Sequence, residues 1–336
     1  MKKYALIAVV LFITFSCKKE KNNNSIKTNE VNYNTDLEQK LAINTKFVVG
    51  DVRRYGIMPD QGIGVHPVTK NKKIDEIISL ASSGLEITFP KGYYKTSLII
   101  SNEKNIKMTF ENTEFSGSVQ LKDSSYNVSF KGNLKSYSSF VFSNVHNITC
   151  DKLTLLDNKE KNISNLRPSG VNILGSSTEI TINKVSVSGV GKSKYVHAGF
   201  KIYGYPKLPK YINIKELSIL SSDVNGALIM GDEIYINKIL INNFGTSEVN
   251  DLAKLSNLPK DFDKKDFVGL WLNKNKSSIY DYVEVNTINK QIALRLGEGS
   301  PEDPTVITAL KLKDKKDSEY LVDDSETTNI VVEKLL

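Results

Sequence analysis

The sequence predicts an all-β fold, a parallel β-helix (solenoid) with an N-terminal capping helix. Two observations carry this reading. Short strands led by glycine and alternating apolar with polar residues recur along the chain: Ser169–Gly175, Ala198–Gly204, Asn225–Gly231 and Val268–Asn273 are versions of one element. Each of the first three is followed by a second alternating strand, at Glu179–Val187, Tyr211–Ile219 and Glu233–Ile241. Strand pairs repeating in this manner argue for coils that stack, each strand bonding its copies above and below.

Taken in order, Met1 to Cys17 has the form of an export signal: Lys2 and Lys3, an apolar run from Tyr4 to Phe15, then Ser16 and Cys17. The run is too short for a membrane span, so residues 1–17 read as a signal peptide whose segment ahead of Cys17 is expected to be removed. Cys17 resembles the cysteine of a bacterial lipoprotein box, although Thr14 and Phe15 depart from the usual aliphatic and small residues there. That resemblance implies a lipidated Cys17 as first mature residue, a membrane anchor and an outer-membrane location on one face or the other. Residues 18–46, rich in Lys, Asn, Glu and Thr with little apolar periodicity, are expected to form a flexible tether. The β-helix domain is then expected over 47–336.

The domain opens on Asp51-Val-Arg-Arg-Tyr-Gly56. A helical pattern of Ile74, Ile77, Ile78 and Ala81 follows and ends at Gly84; then comes Leu85-Glu-Ile-Thr-Phe-Pro-Lys-Gly-Tyr-Tyr94. This stretch resembles the start of the pectate lyase superfamily of right-handed parallel β-helices, where an amphipathic helix caps the coil and a strand ending Phe-Pro-x-Gly-x-Tyr enters the first turn. A cap is needed because an open coil end presents unpaired strand edges and an apolar interior. Gly62–Thr69 departs from the acidic, Thr-containing run common in such relatives.

Strands are expected at 97–101, 106–110, 119–121, 128–130, 140–142 and 148–155. Asn105, Asn127 and Asn147 each open a strand, spaced by 22 and then 20 residues, about one coil. They are expected at equivalent bends, with their amides stacked as a ladder. The glycine-led strands recur at longer intervals of 29, 27 and 43 residues, the longest containing a loop inserted at about 242–268. Loops added to a solenoid tend to emerge on one face, often the binding face. Final strands are expected at 283–285, 292–296, 306–312 and 330–332.

With 336 residues, 40% hydrophobic and 25% charged, the chain can bury a substantial core. The formal charge of +7 falls to +5 without Lys2 and Lys3, which favours anionic partners but is no nucleic-acid signature. Apart from Cys17 the sole cysteine is Cys150, which alternates with Ile148 and reads as a small buried hydrophobe. A monomer is expected.

Alternation splits the glycine-led strands into two faces. With Val171, Phe200, Ile202, Ala227, Ile229, Leu270, Leu272, Leu294 and Leu296 pointing into the coil, Asn172, Lys201, Tyr203, Leu228, Met230, Trp271, Asn273 and Arg295 point outward. Arg167, His197, Asp223 and Asn225 fall on the preceding bends. Aromatic faces stack on sugar rings while Lys and Arg pair with carboxylate or sulfate, so the outward row suits an anionic polysaccharide. Trp271, Asn172, Asn273, Arg167 and Asp223 are the expected substrate-binding residues. Trp271 and Tyr203 packed beneath the inserted loop, with Lys201 and Arg295 merely solvated, is the plainer alternative.

The family resemblance implies two mechanisms. Lyases of this fold use Lys or Arg as the base of a β-elimination on a uronate-containing glycan. On this sequence Lys201 is the candidate base, its pKa lowered by a neighbouring Arg295 or another cation, with His197 or Tyr203 transferring protons. Polygalacturonase-type hydrolases instead need several carboxylates. Here Asp223-Val-Asn225 exchanges the acid and amide of their Asn-x-Asp, His197-Ala-Gly199 replaces Gly-His-Gly, and Asp323-Asp324 lies too near the C-terminus. A lyase is thus favoured over a hydrolase, with a non-catalytic surface glycan-binding or structural lipoprotein as the alternative. Asp223, Asp232 and Glu233 share one coil and would suit calcium; no other cofactor is expected. His66 and His146 read as loop or turn residues.

Overall fold

The computed structural model describes residues 33–157, 168–191, 198–246, 267–287, 291–299, 302–314, 322–323 and 330–336. They form a right-handed parallel β-helix of two sheets, one of eleven strands and one of nine, in which every pairing between named strands is parallel. The nine-stranded sheet stacks the short strands in sequence order, beginning Leu98–Ser101, Val119–Lys122, Phe140–Ser143 and Val171–Leu174. It continues through Ala198–Tyr203, Asn225–Ile229, Val268–Leu272 and Ile292–Leu296.

The eleven-stranded sheet is built from long strands that bend midway. Thr178–Val187 buries Ile180 and Ile182 before the bend and Val185 and Val187 after it, while Asn183 at the corner is exposed. Each long strand thus supplies two sides of the coil and each short strand the third. The nine residues expected to face inward, from Val171 to Leu296, are all buried. In the early coils the interior is aromatic: Phe110 stacks on Phe89 at 5.4 Å and meets Phe130 edge-on at 5.3 Å. Cys150 lies in the same interior, where burial pushes its thiol pKa up and leaves it inert.

Glycine opens the later short strands for a local reason. A Cβ on Gly170, Gly199 or Gly226 would sit 2.8, 3.1 or 2.5 Å from the carbonyl oxygen of the glycine one coil further on. Stacked backbones pass too closely at this corner for a side chain. The corner opening the long strands is left-handed instead, with φ of 58°, 55° and 53° at Asn105, Asn127 and Asn147. Asn127 Nδ2 donates to Asn105 Oδ1 at 2.6 Å and Asn147 Nδ2 to Asn127 Oδ1 at 3.4 Å, the expected amide ladder. Glu179, Tyr211 and Glu233 continue the column at φ of 57°, 55° and 54°, residues far less suited to that region.

At the N-terminal end, helix α2 (Lys73–Ser82) buries Ile74, Ile77, Ile78 and Ala81, as its periodicity predicts. A second helix lies inside the stretch expected to be tether: α1 (Thr35–Leu41), capped by Asn34 Oδ1 on the Leu37 amide at 2.9 Å. The tether assignment is therefore corrected over 35–41. Leu41 is fully buried, and Glu38 accepts from Arg54 Nε at 2.6 Å and from the Tyr55 hydroxyl at 3.2 Å. His66 ties the cap together by donating from Nε2 to the Leu41 carbonyl at 3.1 Å while Nδ1 accepts the Val68 and Thr69 amides.

Candidate functional site

The short-strand sheet aligns its outward residues in two columns. Strand register places Ile99, Gln120, Val141, Asn172, Lys201, Leu228, Trp271 and Arg295 in one unbroken file. Tyr203 pairs with Leu174 in the neighbouring file, and Asn273 follows two residues after Trp271 on the same face. Asn172, Lys201, Tyr203, Trp271, Asn273 and Arg295 accordingly share one face of the coil.

Within the file the order matters. Leu228 and Trp271 separate Lys201 from Arg295, so the two cations stand three strand spacings apart, roughly 14 Å. Arg295 is thus no neighbour of Lys201 and does not lower its pKa. That shift is nevertheless present: burial desolvates the Lys201 ammonium and pulls its pKa below the ordinary lysine value. No carboxylate among the described residues pairs with it; its Nζ lies 5.9 Å from the centre of the Tyr203 ring. The Arg295 guanidinium stacks over Trp271 at 5.3 Å.

Between the cations the face is apolar. Leu228 and Met230, though outward, are only 7% and 9% exposed and pack with Ala198, Leu208 and Trp271. Two polar atoms in this patch are buried without a hydrogen-bond partner, the donor Trp271 Nε1 and the acceptor Asn273 Oδ1. A buried donor or acceptor left without a partner is costly to the fold.

The other expected residues divide. Asn172, next to Lys201 in the file, donates from Nδ2 to the Ser169 carbonyl at 3.3 Å. Asp223 is buried under the bend, where it accepts from Thr246 Oγ1 at 2.8 Å, and Asn225 Oδ1 accepts the Val268 amide at 2.8 Å; both organise the turn ahead of the face. Asp232 is paired with Lys210 at 2.5 Å, and no group of three metal-ligating side chains gathers among the described residues. His197, Arg167, Cys17 and most of the 242–268 loop lie outside the described residues.

Sequence reasoning missed a cavity of about 430 Å³ at the corner where short strands pass into long ones, lined by Ser176, Thr178, Lys207, Lys210, Asp232 and Lys276 among others. Its residues lie in turns or open the long strands, where alternation does not mark them. The available signal was that Lys207 and Lys210 follow one short strand and Lys276 follows another two coils later. Comparison with protein-family models, curated proteins and solved structures returned no match.

Proposed function

We propose that the protein is an exported, polysaccharide-active β-helix of the pectate lyase type, held at the cell envelope by a lipid on Cys17, and that it cleaves a uronate-containing glycan by β-elimination. The observation that carries this reading is Lys201: a desolvated ammonium with no described carboxylate partner, on a face that also presents Tyr203, Trp271 and Arg295. A lowered pKa raises the fraction of neutral amine at neutral pH, which a general base requires.

In the proposed step Lys201 Nζ takes the proton on the carbon next to the uronate carboxylate. The electron pair left behind forms a C=C bond as the glycosidic C–O bond breaks, and the leaving oxygen gains a proton from the Tyr203 hydroxyl or water. Arg295 is too far from Lys201 to neutralise the same uronate, so it would pair with an anionic group further along the chain.

A second reading, a glycan-binding protein without catalysis, is favoured by the apolar patch of Leu228, Met230 and Trp271, which suits stacking better than proton transfer. Incubation of the full chain with a panel of anionic polysaccharides separates the two. The lyase reading expects ultraviolet absorbance from the new C=C bond, reduced at least about 100-fold by Lys201→Ala with the fold intact. Retention of a glycan without cleavage, abolished by Trp271→Ala, selects the binding reading; neither product nor retention removes both.

A further inference from the structure

The corner cavity holds more positive charge than its surroundings neutralise. Lys210 is paired with Asp232 at 2.5 Å, and Lys274, in the adjoining smaller cavity that shares Leu208 and Lys276, is paired with Glu298 at 3.4 Å. Lys207 and Lys276 line the large cavity, are exposed, and have no carboxylate within ion-pair distance among the described residues. They come from different coils, Lys207 after the strand Ala198–Tyr203 and Lys276 after Val268–Leu272. Asp232 is the one acid in the lining, so the cavity carries two positive charges in excess. Hydroxyl-bearing Thr178, contributed by an earlier coil, also lines it.

The donors are two ammoniums from separate coils and the Thr178 hydroxyl, with no arginine in the lining. Arginine's planar fork matches a carboxylate edge-on, whereas lysine acts as a point charge that can approach an oxyanion from any side. Donors arranged around a volume suit a group with oxygens in three dimensions. We propose that this cavity is a second binding site, for a tetrahedral oxyanion carried as a sulfate or phosphate ester, gripped between Lys207 and Lys276. It rests on the glycan reading only in taking the ester to belong to a sugar polymer that also crosses the Lys201 file.

Titration of the full chain at low ionic strength with galactose 6-sulfate, galactose 6-phosphate and galactose tests the site and separates its two sources. Saturable binding of either ester, absent for galactose and weakened at least tenfold by the paired substitution Lys207→Ala and Lys276→Ala, is expected. The ester that binds more tightly names the source. Lys201→Ala should leave this binding unchanged, so its failure is distinguishable from failure of the lyase. The proposal is overturned if neither ester binds, if galactose binds equally, or if the paired variant, still melting like the parent, binds the esters as the parent does.

Discussion

The coils up to Leu155 and the coils after Val171 share a backbone plan and differ in what they place on its two sides. In the early coils the interior is a run of packed rings, Phe89, Phe110, Phe115 and Phe130, and the outward file reads Ile99, Gln120, Val141. In the later coils the long strands line the interior with aliphatic Ile180, Ile212, Ile214, Ile234 and Ile236, though Phe200 of a short strand is also buried there, and the same file reads Asn172, Lys201, Leu228, Trp271, Arg295. Early turns are short; later ones carry the corner cavity. The difference teaches that this solenoid separates its duties along its axis, with interlocked stability near the cap and surface chemistry further on.

The largest expected effect tests the first half of that contrast. Phe110→Ala removes a ring that is 1% exposed and packed against three others, and should cost about 3–5 kcal/mol in denaturant unfolding. A Phe110/Phe130 double-mutant cycle should add a coupling of about 0.5–1.5 kcal/mol. A cost below about 1 kcal/mol for the single variant would erase the distinction between the two regions.

An intermediate effect should come from the later coils and have the opposite sign. Because the folded pKa of Lys201 lies below its unfolded value, the unfolded chain binds more protons between those two values, and stability rises with pH across that window. Lys201→Met should raise the melting temperature at neutral pH and abolish this contribution to the alkaline rise. Unchanged melting curves for the variant from neutral pH to the ordinary lysine pKa would mean the ammonium costs the fold nothing.

The smallest effect concerns the left-handed column that runs through both regions. Asn occupies it in the early coils, whereas Glu179, Tyr211 and Glu233 occupy it later. Tyr211→Asn should stabilise by about 0.5–1 kcal/mol, since asparagine tolerates positive φ far better. Destabilisation instead would show that the tyrosine ring, half exposed though it is, holds its neighbours in place.

Much of the coil was legible in the sequence because its signals are local. Period-two alternation separated Phe200 and Ile202 from Lys201 and Tyr203 correctly, and the spacing of Asn105, Asn127 and Asn147 located one corner. Helix α1 escaped because its polar composition masks a short pattern, Leu37 and Leu41 one turn apart behind an Asn34 cap. At the site, alternation shows membership of the face but not separation within it, so it does not reveal that Leu228 and Trp271 stand between Lys201 and Arg295. The burial of Leu228 and Met230, and the lysines of the corner cavity, depend on packing between coils, for which a single strand's pattern carries no information.

The glycine corner has a consequence for how such a surface can be altered. With Gly170, Gly199 and Gly226 held over one another, the start of each short strand is indexed to the coil below whatever length of chain intervenes. Lys201, Leu228, Trp271 and Arg295 therefore behave like pegs in a board, each replaceable by substitution in its own coil without displacing the next. A lineage built on this plan can change what it recognises one rung at a time, and lengthen its turns freely, while the alignment of the whole file is inherited intact.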